Sequence, residues 1–285
     1  MNKAAEAKHN KQIESAVIEY KEAVRIYPEN HSAYYGLGAT YIDRGNQWKE
    51  ASDAFGNAVR IKDDEPMYHM WYGIALYKDA LEQRKQQQAK NENKKPEEVD
   101  VDLKGVNLDP SLQQLQAALK LNNELWRAHY YVGVIYRDQD KPQLAAQEFT
   151  AAIQNNPFEP APYIALGELY RKWDYTDQAI QVASQGQANV PGDTEREKID
   201  FVLGMAYLDK KNLDAAIESF TKSIEDSKKA DHSALFERGL TYAAKGDTKA
   251  AKKDLEEYSK VAGAKEEFNK SMANKVLMDI ASKQN

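Results

Sequence analysis

WRAHYYVGVIYRDQDKPQLAAQEFTAAIQNNP (Trp126 to Pro157) is followed directly by FEPAPYIALGELYRKWDYTDQAIQVASQGQANVP (Phe158 to Pro191), and the second stretch repeats the first after 34 residues without a slip. Gly133 returns as Gly167, Tyr136 as Tyr170, Ala145 as Ala179 and Pro157 as Pro191. Within a copy, Leu166, Gly167 and Tyr170 share one face of a helix, where i, i+3 and i+4 fall together. Ala179, Ala183 and Gly186 form a small-residue stripe on a second helix, at i, i+4 and i+7. Glycine on the first helix permits close approach of the second, and the following proline stops the second helix and redirects the chain. Each copy is thus a helix pair with one face uncovered, and such pairs must stack to bury it.

The pattern Val132-Gly133-x-x-Tyr136, then Ala145-x-x-x-Phe149-x-x-Ala152 and Pro157, resembles the tetratricopeptide repeat. That resemblance implies an all-α, right-handed superhelical solenoid of tandem helix-turn-helix units. Traced outward, it implies one domain over 1–285. A shortened first repeat over about 1–30 carries Ala16, Tyr20, Ala23 and Pro28, with only Met1 to about His9 for a preceding helix. Further repeats follow over 31–65, 66–125, 126–159, 160–193, 197–230 and 232–264. A closing helix over 265–283 places Phe268, Met272, Val276 and Ile280 on one apolar face, as a cap requires. A start halfway through a repeat is expected of a piece of a longer protein, with any signal or anchor upstream.

The repeat over 66–125 is the irregular one, with an insertion at about 84–109. Its Gln/Lys/Glu-rich first part reads as an outward continuation of the helix. After Pro96, Val99-Asp100-Val101-Asp102-Leu103 alternates apolar and charged residues, which predicts an extended segment with one buried side. Asp109-Pro110-Ser111 restarts the helix. The acidic residues Glu97, Glu98, Asp100 and Asp102 lack the glycine and terminal glutamate of a calcium loop, so they read as a solvated run.

Composition excludes several function classes. A formal net charge of −6, with basic residues scattered in pairs, argues against nucleic-acid binding. The chain has no cysteine, which removes disulfides, thiolate metal sites and cysteine nucleophiles. A cysteine-free chain suits a reducing cytoplasm or, with an upstream signal removed, a periplasm. No apolar run approaches the length of a membrane span. His9, His31, His69, His129 and His232 show no metal-ligand spacing and read as packing or surface residues. Gly36-Leu37-Gly38 lacks the third glycine and the preceding strand of a dinucleotide loop. No catalytic constellation or cofactor motif is present, so the reading is of a non-enzymatic protein.

The resemblance places the first helices of successive repeats along a concave face that holds a peptide or protein. One row along that face is Tyr35, Met70, Tyr130, Ile164, Phe201 and Phe236. Four residues on, Ile74, Val134, Glu168, Met205 and Leu240 follow, and then Tyr77, Arg137, Arg171 and Leu208. An apolar trough with Arg137 and Arg171 near its middle suits the apolar face of a helix or an extended apolar segment. The Lys/Asn pattern that grips a C-terminal carboxylate in chaperone-binding members is missing, since Tyr35, Ala39, Tyr130 and Val134 take its places. Three alternatives stand beside the adaptor reading. The insertion's own apolar residues fill the groove, the chain self-associates through its shortened first repeat, or it is a regulatory repeat region of a larger protein. By family analogy such repeats serve bacterial envelope and motility assemblies.

Overall fold

The computed structural model describes residues 3–45, 47–227, 232–263 and 266–282, leaving aside the side chains of 3–10, 193 and 194. Among the described residues all regular structure is helical: fourteen α-helices and one 3-10 turn, with no strand. The chain forms two compact units, Met1–Asn155 and Asn156–Asn285.

The first unit holds α1 (Lys3–Ile26) and three pairs: α2 (His31–Asp43) with α3 (Trp48–Ile61), α4 (Pro66–Glu92) with α5 (Asp109–Leu121), and α6 (Trp126–Asp138) with α7 (Pro142–Asn155). Lys3 to His9 do not form a separate helix; they belong to α1, one continuous helix of 24 residues. In the second unit α8 (Pro160–Lys172) pairs with α9 (Thr176–Asn189), α10 (Asp193–Asp209) with α11 (Leu213–Asp226), and α12 (Ser233–Lys245) with α13 (Thr248–Val261). α14 (Glu267–Ser282) closes that unit.

Local chemistry sets the helix ends. Asn30, Asn212 and Asp247 cap α2, α11 and α13 by accepting the backbone N–H three residues on. Proline opens α4 and α8, where its missing N–H costs nothing and its fixed φ suits the first turn. The turns after α6, α8 and α10 share one geometry. Asp140, Asp174 and Lys211 take left-handed backbone angles (φ 58°, 58° and 60°). The next N–H then donates back to the carbonyl of Tyr136, Tyr170 or Tyr207, at 2.8–2.9 Å, closing the helix end.

Within a pair, the glycine of the first helix meets a large side chain of the second. A Cβ on Gly133 would lie 2.7 Å from ring carbons of Phe149; at Gly38 the obstacle is Phe55, and at Gly204 Phe220. Those three rings are fully buried. The pair α8/α9 inverts the arrangement, because Ala183 stands where Phe149 stood. Here the ring is on the first helix: Tyr163, fully buried, lies against Gly186 of α9.

α14 packs on half of the face expected from its sequence: Val276 and Ile280 turn inward, Phe268 and Met272 do not. Ala273, Val276 and Leu277 join the cluster around Leu235, Leu255 and Tyr258, and Ile280 is buried on the same stripe. Phe268 and Met272 stay outside, 75% and 37% exposed. The reason is fit: fully buried Ala273 lets the helix lie close, and its i, i+3, i+4, i+7 stripe excludes positions 268 and 272.

Candidate partner-binding faces

In the first unit the candidate residues divide between surface and core. Tyr35 is half-buried, its ring stacked 4.9 Å from Tyr68, and Tyr130 lies half-buried against Phe149. Met70, Ile74, Tyr77 and Val134 are buried in the chain itself, with exposures of 4% or less. Tyr77 shows why: its ring meets Tyr131 edge-on at 5.9 Å and its hydroxyl donates to Asp138 at 2.8 Å, both on α6. Tyr77 thus turns toward the neighbouring first helix instead of lining an open trough. Burial, reinforced by Asp138, pushes the Tyr77 hydroxyl well above the usual tyrosine range. Arg137 donates through Nε and Nη2 to the same Asp138, at 3.0 and 2.9 Å, so its charge is already matched.

Two other cations of this unit were not singled out from the sequence. Lys78 on α4 sits 5.9 Å from the Tyr77 ring centre and 5.7 Å from that of Tyr131. Arg127 on α6 sits 5.7 Å from Trp71 and 4.6 Å from Trp126. Adjacent aromatic and basic residues on first helices were the available signal; their meeting across helices was not visible in either segment alone.

The insertion folds back along α4. α4 ends at Glu92 with Asn93 left-handed, and Lys94 N–H closes on the Ala89 carbonyl. A 3-10 turn at Pro96–Glu98 follows. Val99 and Leu103 are buried while Asp100 and Asp102 face solvent, so alternate residues enter the interior. Arg84 donates to the Asp102 carbonyl at 2.9 Å, and the Asp102 N–H donates to Gln88 at 3.1 Å. Arg84 and Gln88 lie two helical turns beyond Tyr77 and Leu81, on the same stripe of α4. The segment therefore covers the outward continuation of the helix that carries Met70, Ile74 and Tyr77.

In the second unit the face formed by α8, α10 and α12 is more open. Ile164, Phe201, Met205, Leu208 and Leu240 are partly exposed; Phe236 is buried against Tyr258. Phe201, Met205 and Leu208 root the face in the core around Phe220, while Leu240 packs toward Leu255 and Tyr258. Glu168 is exposed. Arg171 on α8 donates to Asp209 on α10, at 2.7 Å from Nε and 3.3 Å from Nη2. Burial raises the Glu237 carboxyl on α12, and Arg171 partly offsets that. One arginine on α8 thus acts on groups of both α10 and α12.

His31, His69 and His129 serve packing, while the side chain of His9 lies outside the described residues. His69 bridges the Asp63 carbonyl and Gln114, His129 bridges the Asn123 carbonyl and Glu148, and His31 meets the Tyr68 hydroxyl at 2.9 Å. Among the described residues no group of three or more His, Asp or Glu is placed to hold a metal. No described helix is long and apolar enough to cross a membrane.

Comparison with known proteins agrees with this architecture. The tetratricopeptide repeat family model matches residues 102–160 and 201–264. No curated protein sequence matches the chain. Among solved structures, a chain of the APC/C hetero-tetramer Cut9-Hcn1 superimposes with a TM-score of 0.62 and 16% identity, over 95% of this chain. This chain spans only 46% of that one. The C-terminal part of a TPR repeat-containing protein from Cytophaga hutchinsonii gives 0.62 at 20% identity, over 87% of this chain and 88% of its own. YrrB, titled a TPR protein with an unusual peptide-binding site, gives 0.54 at 18% identity, over 79% and 99%. Helix pairs with a small residue at each close approach, the matched repeats and these structural likenesses converge: the chain is a tetratricopeptide repeat protein.

Proposed function

We propose that this protein is a non-enzymatic scaffold or adaptor that binds a partner polypeptide, and that the α8/α10/α12 face of the second unit is a principal contact. Repeats of this family are in general protein-interaction scaffolds. The observation that carries the reading is the partly exposed apolar row Ile164, Phe201, Met205, Leu208 and Leu240. Rigid, half-buried apolar side chains with charges at the edge suit the apolar stripe of an amphipathic helix or alternate side chains of an extended segment. Phe236 belongs to the core of this unit, and Met70, Ile74, Tyr77 and Val134 are buried within the first unit, so none of the five is part of the exposed row.

The test is affinity capture with wild type and with Met205→Asp/Leu240→Asp, circular dichroism reporting the fold of each. A protein held by the wild type and lost by the folded variant supports the reading. Identical or empty lanes count against it. A second reading, self-association, has its own observation: Ile18 and Tyr27 on and just after α1 are each 67% exposed, and Met278 on α14 is 71% exposed. Solution mass that rises with concentration would favour it.

A further inference from the structure

The part-buried arginines on the first helices mostly carry their own counter-ions. Arg137 has Asp138, Arg171 has Asp209, and Arg238 has Asp254. Lys78 and Arg127 break that rule. Both are partly buried, and among the described residues neither forms an ion pair; each is held over aromatic rings instead. Burial lowers the Lys78 amine below the usual lysine range, and no carboxylate offsets it. A cation desolvated without an anion is costly in a chain that carries 45 acidic residues.

The placement is ordered. Trp71 and Lys78 are seven residues apart on α4 and share a stripe; Arg127 and Tyr131 are four apart on α6 and do likewise. Arg127 lies over Trp71, and Lys78 over Tyr131, so the two helices present two aromatic-walled cations in one strip. Helical rise puts the two positions about 6–10 Å apart along the strip.

We propose that Lys78 and Arg127 each receive a carboxylate from an acidic segment of the partner polypeptide. This deepens the protein-binding reading above and rests on it. Charge complementarity selects an anion, and the spacing selects the source. A phosphate group is met by several donors converging on one point, whereas here each cation stands alone beside apolar walls. That suits singly charged Asp and Glu side chains, whose stems pack on Trp71 and Tyr131. Two acids four to seven residues apart on a helix, or two to three apart on an extended strand, span about the same distance.

The probe is a random peptide library displayed on phage, selected in parallel on the full wild-type chain and on Lys78→Met/Arg127→Gln. The expected result is peptides enriched in paired Asp or Glu on the wild type, with the enrichment lost on the folded variant. Binding of a selected peptide should weaken about tenfold or more from low to high salt, because surface ion pairs are screened. Selection without acidic enrichment, or enrichment unchanged by the variant, overturns this inference and leaves peptide binding standing. A wild type that selects no peptide overturns peptide binding itself, and this inference with it. Lys78→Gln alone, which leaves the Arg127–Trp71 stack in place, carries the same comparison if the double variant misfolds.

Discussion

His129 ties the two helices of its repeat to the turn before them. Its Nδ1 lies 2.6 Å from Glu148 Oε2 on α7, and its Nε2 lies 3.0 Å from the Asn123 carbonyl six residues back. Both partners are acceptors, so the doubly protonated ring satisfies the site. The Glu148 hydrogen bond, aided by Asn123 and opposed by burial, raises the His129 pKa above the ordinary value. A raised folded-state pKa contributes stability that is complete below the unfolded value of about 6.5 and is lost as pH rises through the folded value. Thermal melts of the wild type should therefore fall, relative to His129→Gln, as the buffer moves from about pH 6 to about pH 8. Parallel profiles would remove the coupling.

Asp200 reports in the opposite way from most carboxylates. It is 2% exposed, accepts from Gln187 and shares a hydrogen bond with the Asp226 carboxyl; Lys222 also acts on it. Burial first, then Asp226, pushes its pKa up to about 6 against the pull of Gln187 and Lys222. The protonated form is favoured in the fold, so the stability it contributes is present at low pH and lost as pH climbs from about 4 through about 6. Asp200→Asn should gain on the wild type across that window in paired melts. A constant gap would show that the carboxyl ionises as freely in the fold as in the unfolded chain.

The glycines of the first helices rank by what opposes a side chain. At Gly133 the nearest atoms a Cβ would meet all belong to the side-chain ring of Phe149, the closest at 2.7 Å, with no backbone atom among them. At Gly73 the Cβ would meet the Ser111 backbone carbonyl at 3.0 Å as well as Leu115, and Ser111 Oγ already donates to the Gly73 carbonyl at 2.6 Å. Overpacking of this kind costs about 1–3 kcal/mol, against a gain of nearly 1 in helix propensity. Gly73→Ala should lose more than Gly133→Ala in urea unfolding; the reverse order would contradict the contact.

Arg238 and Asp254 form a buried pair between α12 and α13, Nε to Oδ2 at 2.7 Å and Nη2 to Oδ1 at 3.0 Å, with Nη1 on Thr221 of α11. Asp254→Ala leaves the guanidinium uncompensated and should cost about 3–5 kcal/mol. Arg238→Met/Asp254→Leu, which removes both charges, should recover much of that in denaturant titrations. A double variant no better than the single would assign the loss to packing.

The repeat class was legible because its signal is local: Gly133, Tyr136, Ala145 and Phe149 sit within one helix pair, and their spacing records a contact made inside it. The alternation from Val99 to Leu103 was legible for the same reason, since period-two burial is written in five consecutive residues. What stayed hidden depends on contacts between segments far apart in the chain. Met70, Ile74 and Tyr77 read as groove lining from their slot, but Tyr131 and Asp138, over fifty residues on, close Tyr77 off. Phe268 was as apolar as Ile280; only Ala273 lying flat on the core decided which stripe packs.

Asp140, Asp174 and Lys211 hold a left-handed backbone that glycine adopts without steric cost, and Gly246 holds the equivalent turn after α12. Where selection has placed a side chain at such a turn, the fold keeps unclaimed thermal headroom. Those turns lie outside the helices that carry Met205, Leu240, Lys78 and Arg127. An engineer could raise the melting temperature at the turns and retune recognition on the helices as two independent dials.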